Sequence, residues 1–193
     1  ETVERRSNMV RYALMINVPG ESPKTYSKVY ETQESHELYA GVSDIDMAEG
    51  LMKQLSEEGF EMVNLCGAFD DETVQRFIKI GQGKIAVSAA RYSPDELLKL
   101  EKLTSLKEYG FISLISSIDQ IDRLELFGEE CNTHVFFVRD LEMACRAATE
   151  LVGLGVDFIE LCSWFDLHKT QSIIDAIHGK VPVGSCAQDP AEF

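Results

Sequence analysis

A chain of 193 residues, 45% apolar and 9% aromatic, has the makeup of a globular protein that builds its own core. Its formal charge of −15 argues against nucleic acid, which demands a basic face, and against an anionic membrane surface. No apolar run approaches the length of a membrane-spanning helix, and the five cysteines (Cys66, Cys131, Cys145, Cys162, Cys186) form an odd set without a CxxC pair, which suits a reducing, cytoplasmic setting.

Glu1 to Asn8 is polar and charged, does not read as a signal peptide, and reads as a remnant ahead of a native Met9. Val10 to Val18 is an apolar run expected to form a buried strand. Pro19 to Ser35, with Pro-Gly and Ser-Pro turn signals, is expected as a long connection. Leu38 to Val42 reads as a second strand. Ser43 can then cap a helix in which Ile45, Ala48, Leu51, Met52 and Leu55 recur at helical spacing, and Gly59 ends it. Phe60 to Gly67 is a third strand. Asp70 caps a second helix that carries Val74, Phe77 and Ile78, and Lys84 to Ala90 is a fourth strand. Ser93-Pro94-Asp95-Glu96 then starts a short helix, with a cap, proline at the first position and glutamate at the third. The same order returns as strands at Phe111–Ser116 and Val135–Val138, a helix from Asp140 to Leu154, a strand at Val156–Cys162, a helix from Asp166 to His178, and a strand at Val181–Cys186.

That return is a duplication. Residues 42–92 align with residues 138–188 at a constant offset of 96, without a gap, and fifteen of these 51 positions are identical, Asp44, Gly59, Leu65, Cys66, Phe69 and Asp70 among them. Each half runs to roughly 90 residues, marginal alone, so one copy is expected to bury surface against the other. Strands separated by helices imply parallel βαβ units. Two architectures are open. The favoured one is an α/β fold of two similar lobes with mainly parallel sheets, related by a pseudo-twofold, over residues 9–104 and 105–193. The other is a single eight-stranded β/α barrel built of two half-barrels, for which the chain is short and the first connection of each copy lacks a helix.

In parallel α/β sheets ligands gather beyond the carboxyl ends of strands. Cys66 and Cys162 stand there, each before a helix whose dipole could activate the thiol, although small buried hydrophobes at a tight turn would read the same. Glu160 is more unusual: a carboxylate inside an apolar strand, sharing one face with Phe158 and Cys162 by the period of two. Burial would raise its pKa and make it a general acid or base, whereas an edge strand would leave it in solvent. Its counterpart is Asn64. Arg91 lies just past the fourth strand and could grip a carboxylate or phosphate, or be a solvated loop residue. Trp164 could wall a pocket or pack between the lobes. Asp70 and Asp166 are better explained as helix caps than as catalysts. The scattered His134, His168 and His178 fit no zinc spacing, and Gly81-Gln82-Gly83 ends a helix instead of opening one, so neither a metal nor a phosphate-bearing cofactor is expected.

Gly155-Val156-Asp157-Phe158-Ile159-Glu160-Leu161-Cys162, followed after a helix by Gly179-Lys180-Val181-Pro182-Val183-Gly184, resembles the recognisable stretch of a family of small bacterial proteins of unknown function. Members of that family look like one copy of this unit. The first copy keeps Gly59, Leu65-Cys66-Gly67, Phe69 and Gly83-Lys84 but carries Asn64 where the pattern has glutamate, which points to one functional site and not two. The resemblance implies an α/β fold and brings no activity, cofactor or substrate. Single-copy relatives would need a partner to reproduce two copies, which puts a homo-oligomer among the expected assemblies. The leading functional expectation is a small-molecule lyase or isomerase, with Glu160 as acid or base beside Cys162, and with Arg91, Cys66, Asn64 and Trp164 on the substrate. The rival expectation is a non-catalytic binding or assembly module.

Overall fold

The computed structural model describes residues 9–187. Residues 1–8, read as a remnant, and residues 188–193 of the second half lie outside the described residues. The first half runs β1 (Val10–Asn17), β2 (Ser27–Glu31), β3 (Ser35–Val42), α1 (Ile45–Glu57), β4 (Met62–Leu65), α2 (Asp71–Ile80) and β5 (Ala86–Ala89). After α3 (Pro94–Glu101) the second half repeats the series as β6 (Glu108–Leu114), β7 (Asp122–Phe127), β8 (Asn132–Val138), α4 (Leu141–Leu154), β9 (Phe158–Leu161), α5 (Leu167–Ala176) and β10 (Val183–Ser185).

Each half builds its own five-stranded sheet, in the order β2-β3-β1-β4-β5 and β7-β8-β6-β9-β10. The inner strands pair in parallel, and only β2 and β7 run antiparallel, at the outer edges. The protein is therefore a pair of similar α/β lobes. The eight-stranded barrel is set aside, because the strands fall into two separate sheets. β2 and β7 lie where connections were expected. As edge strands they pair along one side only, and Ser27–Glu31 shows no apolar run.

Helix starts follow from side-chain caps. Asp44, Asp70, Asp140 and Asp166 accept from the backbone N–H three residues on, at 2.8 to 2.9 Å, a contact worth about 1 kcal/mol each. The cap of α1 is thus Asp44 and not Ser43. Gly59 and Gly155 follow their helices at φ 77° and 88°, a conformation that glycine adopts without strain.

The two sheets meet face to face, and the helices cover their outer faces. The apolar strands are covered on both sides, once by helices and once by the opposite sheet. Across the contact, Tyr39 of β3 meets Phe111 of β6 and Phe137 of β8 at centroid distances of 6.3 and 5.7 Å, and Tyr30 stacks on Phe137 at 3.7 Å. Burying rings of this size contributes about 1.5–3 kcal/mol each. The Tyr26 hydroxyl reaches from the first lobe to Thr133 Oγ1 and the Cys131 carbonyl, at 2.9 and 3.0 Å. The contact is reciprocal. Gly67 N, after β4, donates to Glu160 of β9, and Ser163 N, after β9, donates to Asn64 of β4. Exchange of equivalent positions is what a twofold axis produces. The sheets therefore lie head to tail, with the strand ends of one lobe over the strand middles of the other.

Candidate functional site

Head-to-tail stacking leaves one cavity at each end of the interface. The larger, about 680 Å³, is walled by the ends of β1 and β4 (Ile16, Asn17, Cys66, Gly67), by Tyr109, Phe158 and Glu160 of the second sheet, and by Tyr92 and Leu100 from the connection. The smaller, about 330 Å³, takes the equivalent positions with the lobes exchanged: Ser113 to Ser117, Cys162 and Ser163 of the second lobe against Tyr12, Ser35, Glu37 and Met62 of the first.

Glu160 is 2% exposed and points into the interface. Tyr92 donates to its Oε1 and Tyr109 to its Oε2, both at 2.7 Å, and Gly67 N approaches the two oxygens at 3.0 and 3.2 Å. Burial pushes this carboxyl above the usual range, and the two phenols and the amide partly offset the push. Burial and the neighbouring acid together raise both phenols well above theirs. The result is a desolvated acid held by two protonated phenols at the wall of an open cavity.

The positions of the partners follow from the chain. Tyr109 is the second residue of β6 and faces inward beside Phe158, its registered neighbour. Tyr92 precedes the Ser93 cap of α3, and the backbone at Arg91 pairs with Ser185, which fixes this connection along β10. Room for the Tyr92 ring exists because residue 184 is glycine. A Cβ there would stand 2.7 Å from two ring carbons of Tyr92. The first lobe carries Ser88 at the equivalent place, where it accepts from Asn64 Nδ2 at 3.0 Å. Gly184→Ala is expected to destabilise the protein by about 2 kcal/mol through overpacking, read as a lower urea midpoint. An unchanged midpoint would mean that the ring is held elsewhere.

The structure separates several residues that sequence spacing groups together. Phe158 and Glu160 do share a face and a cavity. Cys162 lies beyond the strand and lines the smaller cavity, so the thiol that accompanies Glu160 is Cys66 of the other lobe. The cause is the stacking, which sets each strand end over the partner sheet. Burial pushes Cys66 up to about 12 and Cys162 up to about 11, against the pull of the helix dipole, which favours the reading of both as small buried hydrophobes at a tight turn over that of a reactive thiolate. Asn64 is fully buried, with its Oδ1 accepting from the Tyr12 hydroxyl at 2.9 Å and Ser163 N at 3.2 Å. Arg91 pairs with Asp71 at 2.6 Å and lines neither cavity. Trp164 lines the smaller one, while Asp70 and Asp166 serve as caps. Among the described residues, no three of His, Cys, Asp or Glu converge as metal ligands, and no helix is long and apolar enough to cross a membrane.

Tyr92, Tyr109 and Glu37 escape a reading of the sequence. Tyr109 matches Tyr12, since they register with Phe158 and Met62, but the pair is 97 residues apart and a fixed offset of 96 misses it. Glu37 sits in β3 ahead of the apolar run at Leu38. The alternation Ser35, Glu37, Tyr39 was the available signal.

A family model described as "Family of unknown function (DUF6506)" matches residues 10–105 and again residues 107–193. No curated protein matches the chain. Among solved structures, a solute-binding protein of an ABC transporter system from Conexibacter woesei is 13% identical, with a TM-score of 0.31 over 90% of this chain and 69% of its own. A periplasmic solute-binding protein from Actinobacillus succinogenes with bound D-allose is 10% identical, with a TM-score of 0.33 over 90% and 77%. The transcription regulator CcpA of Lactococcus lactis is 12% identical, with a TM-score of 0.33 over 96% and 76%.

Proposed function

Since both halves of the chain belong to the DUF6506 family of unknown function, we propose that the protein binds a small organic molecule in the larger cavity and that Glu160 moves a proton on it, as in lyase or isomerase chemistry. One observation carries this reading: a carboxyl 2% exposed, raised by burial and bridged by two phenols, forms part of the wall of a cavity of about 680 Å³. A cavity of this size with few convergent polar groups suits a small metabolite. A carboxyl raised by burial binds a proton more tightly than an ordinary glutamate, which makes it a stronger base towards a ligand in the same cavity. In this scheme Glu160 takes a proton from one atom of the ligand and returns it to a neighbouring atom or to a leaving group. Tyr92 and Tyr109 orient the carboxyl, one to each oxygen. The lining carries Lys107 beside Glu129 and Glu130, so a polar substituent of either sign finds a partner there, and Arg91 is not placed to take part.

The test is proton exchange. The protein is incubated in deuterated water with a panel of small hydroxy and keto acids, and deuterium uptake by each compound is followed by NMR. Uptake with at least one compound is expected, and Glu160→Gln should lower it by a factor of 100 or more, typical of a lost general base. Exchange that persists in the variant would remove Glu160 from the chemistry.

A second reading rests on Asn64. It receives the Tyr12 hydroxyl and the Ser163 amide just as Glu160 receives Tyr109 and Gly67, without being an acid. On that reading Glu160 is an inter-lobe fastening and the cavity only binds. Thermal stabilisation by a panel compound, equal in wild type and Glu160→Gln and unaccompanied by any exchange, would favour it.

A further inference from the structure

The two cavities occupy equivalent places, yet their acids do not. In the larger cavity the buried carboxylate is Glu160 on β9, whose counterpart on β4 is Asn64. In the smaller cavity it is Glu37 on β3, whose counterpart on β8 is Thr133, because Tyr12 registers with Glu37 and Tyr109 with Thr133. Each cavity thus has one deeply buried carboxylate, contributed by a different strand. Inherited packing would repeat the same position, so the smaller cavity is not a decayed copy of the larger.

Glu37 is 4% exposed. Its Oε2 accepts from Tyr39 at 2.5 Å and from Ser113 of the other lobe at 3.4 Å, while Oε1 accepts from Ser35 alone, at 3.0 Å. An acceptor position remains on Oε1. The other ionisable carboxylate of the lining is Glu34, and neither lysine nor arginine contributes to it, whereas the larger cavity sets Lys107 beside Glu129, Glu130 and Glu160. Ser116 and Ser117 add hydroxyls. Trp164 supplies an apolar wall. Lys169 Nζ sits 4.6 Å over that ring and pairs with Asp166, so the ring serves the carbon chain of a ligand and not its charge.

We propose that the smaller cavity is a second ligand site of different specificity, taking a compact primary amine whose ammonium group is received by Glu37 and whose carbon chain lies against Trp164. Two carboxylates with no cation among the lining side chains favour positive charge, and the volume of about 330 Å³ admits only a short chain. The site is independent of the proton-transfer reading given to the larger cavity.

Protonation adds a signature. Burial pushes Glu37 up to about 7, and the hydroxyls of Tyr39, Ser35 and Ser113 partly offset the push. The titratable groups around it are Tyr39 on its own strand, Tyr12 on β1, Tyr30 on β2, Cys162 after β9, and Glu34 just ahead of β3. The phenols and the thiol are all raised, which leaves Glu37 to set the change near neutrality. An ammonium requires the carboxylate form, so binding should strengthen about tenfold between pH 6 and pH 8, while an alkylamine stays protonated throughout.

Trp164 is the single tryptophan of the chain, so its emission reports this cavity. The full chain is titrated with butylammonium, with butanol as the neutral isostere, at pH 6 and pH 8. A saturable change in emission is expected with the amine alone, about tenfold tighter at pH 8, and absent in Glu37→Gln. Absence of any response to butylammonium, an equal response to butanol, or affinity that does not change with pH would each overturn the proposal. All three of these outcomes are read on the native protein and hold even where the variant fails to fold.

Discussion

Glu160→Ala is expected to lower the stability of the protein by about 3 kcal/mol, whereas Glu160→Gln should cost under about 1 kcal/mol. Alanine strands three donors at once: the hydroxyls of Tyr92 and Tyr109 and the amide of Gly67. Each unpartnered buried donor costs about 1–3 kcal/mol, reduced here because the cavity admits water. Glutamine keeps the volume and a carbonyl acceptor for Gly67, and its amide can donate to a phenol oxygen. Asn64 already meets the equivalent phenol and amide in the first lobe without a charge, its Oδ1 accepting from both the Tyr12 hydroxyl and Ser163 N. For a chain of this length the alanine variant should melt roughly 6–12 °C lower. Chemical denaturation of the three proteins checks the order. An alanine variant as stable as wild type would mean that the carboxyl does not join the lobes.

Stability should fall, not rise, as the pH goes from 5 to 8. Glu37 is pushed up to about 7 in the fold, from an ordinary 4.5. A carboxyl raised by folding favours the folded state while protonated, so its contribution is complete below the unfolded value and is lost as the pH climbs through the folded one. A difference of this size corresponds to about 3 kcal/mol. Glu160 is raised too and acts in the same sense. The capping Asp70 and Asp140, held below the usual range by the backbone amides they receive, and Asp166, held there first by the Lys169 side chain and then by its backbone amide, act oppositely, but only at more acid pH. Melting temperatures of wild type and Glu37→Gln across this range separate the terms. The wild-type curve should descend and the variant should be markedly flatter. Parallel curves would show that Glu37 titrates normally.

The fold was largely legible because its signals are local. Aspartate caps, the glycines at 59 and 155, and apolar runs in the inner strands depend on neighbours a few residues away, and the repeat established two like halves while leaving two lobes or two half-barrels open. β2 was not legible, since an edge strand needs no apolar pattern to pair, while in β7 only the short alternation of Leu124 and Leu126 with Arg123 and Glu125 marks a strand. The site was half legible. Glu160 stood out as a charge in an apolar run, but its companions come from elsewhere: Tyr109 at the polar start of β6, Tyr92 from the connection, and Cys66 from the opposite lobe. Spacing along one strand places Cys162 beside Glu160. Only the stacking direction of the sheets reveals that the strand end faces the other way. Arg91 likewise reads as a free cation until Asp71, twenty residues earlier, folds against it.

Both hollows draw their walls from the two halves jointly, since Gly67 and Ser163 each close over the opposite sheet. If one half paired with itself, every substitution would alter both chambers together, and the two would remain identical. Joining the halves in a single polypeptide breaks that constraint. Glu37 could then arise without an acid at 133, and Glu160 could persist without one at 64, so that each chamber acquired a chemistry of its own while the shared frame stayed intact.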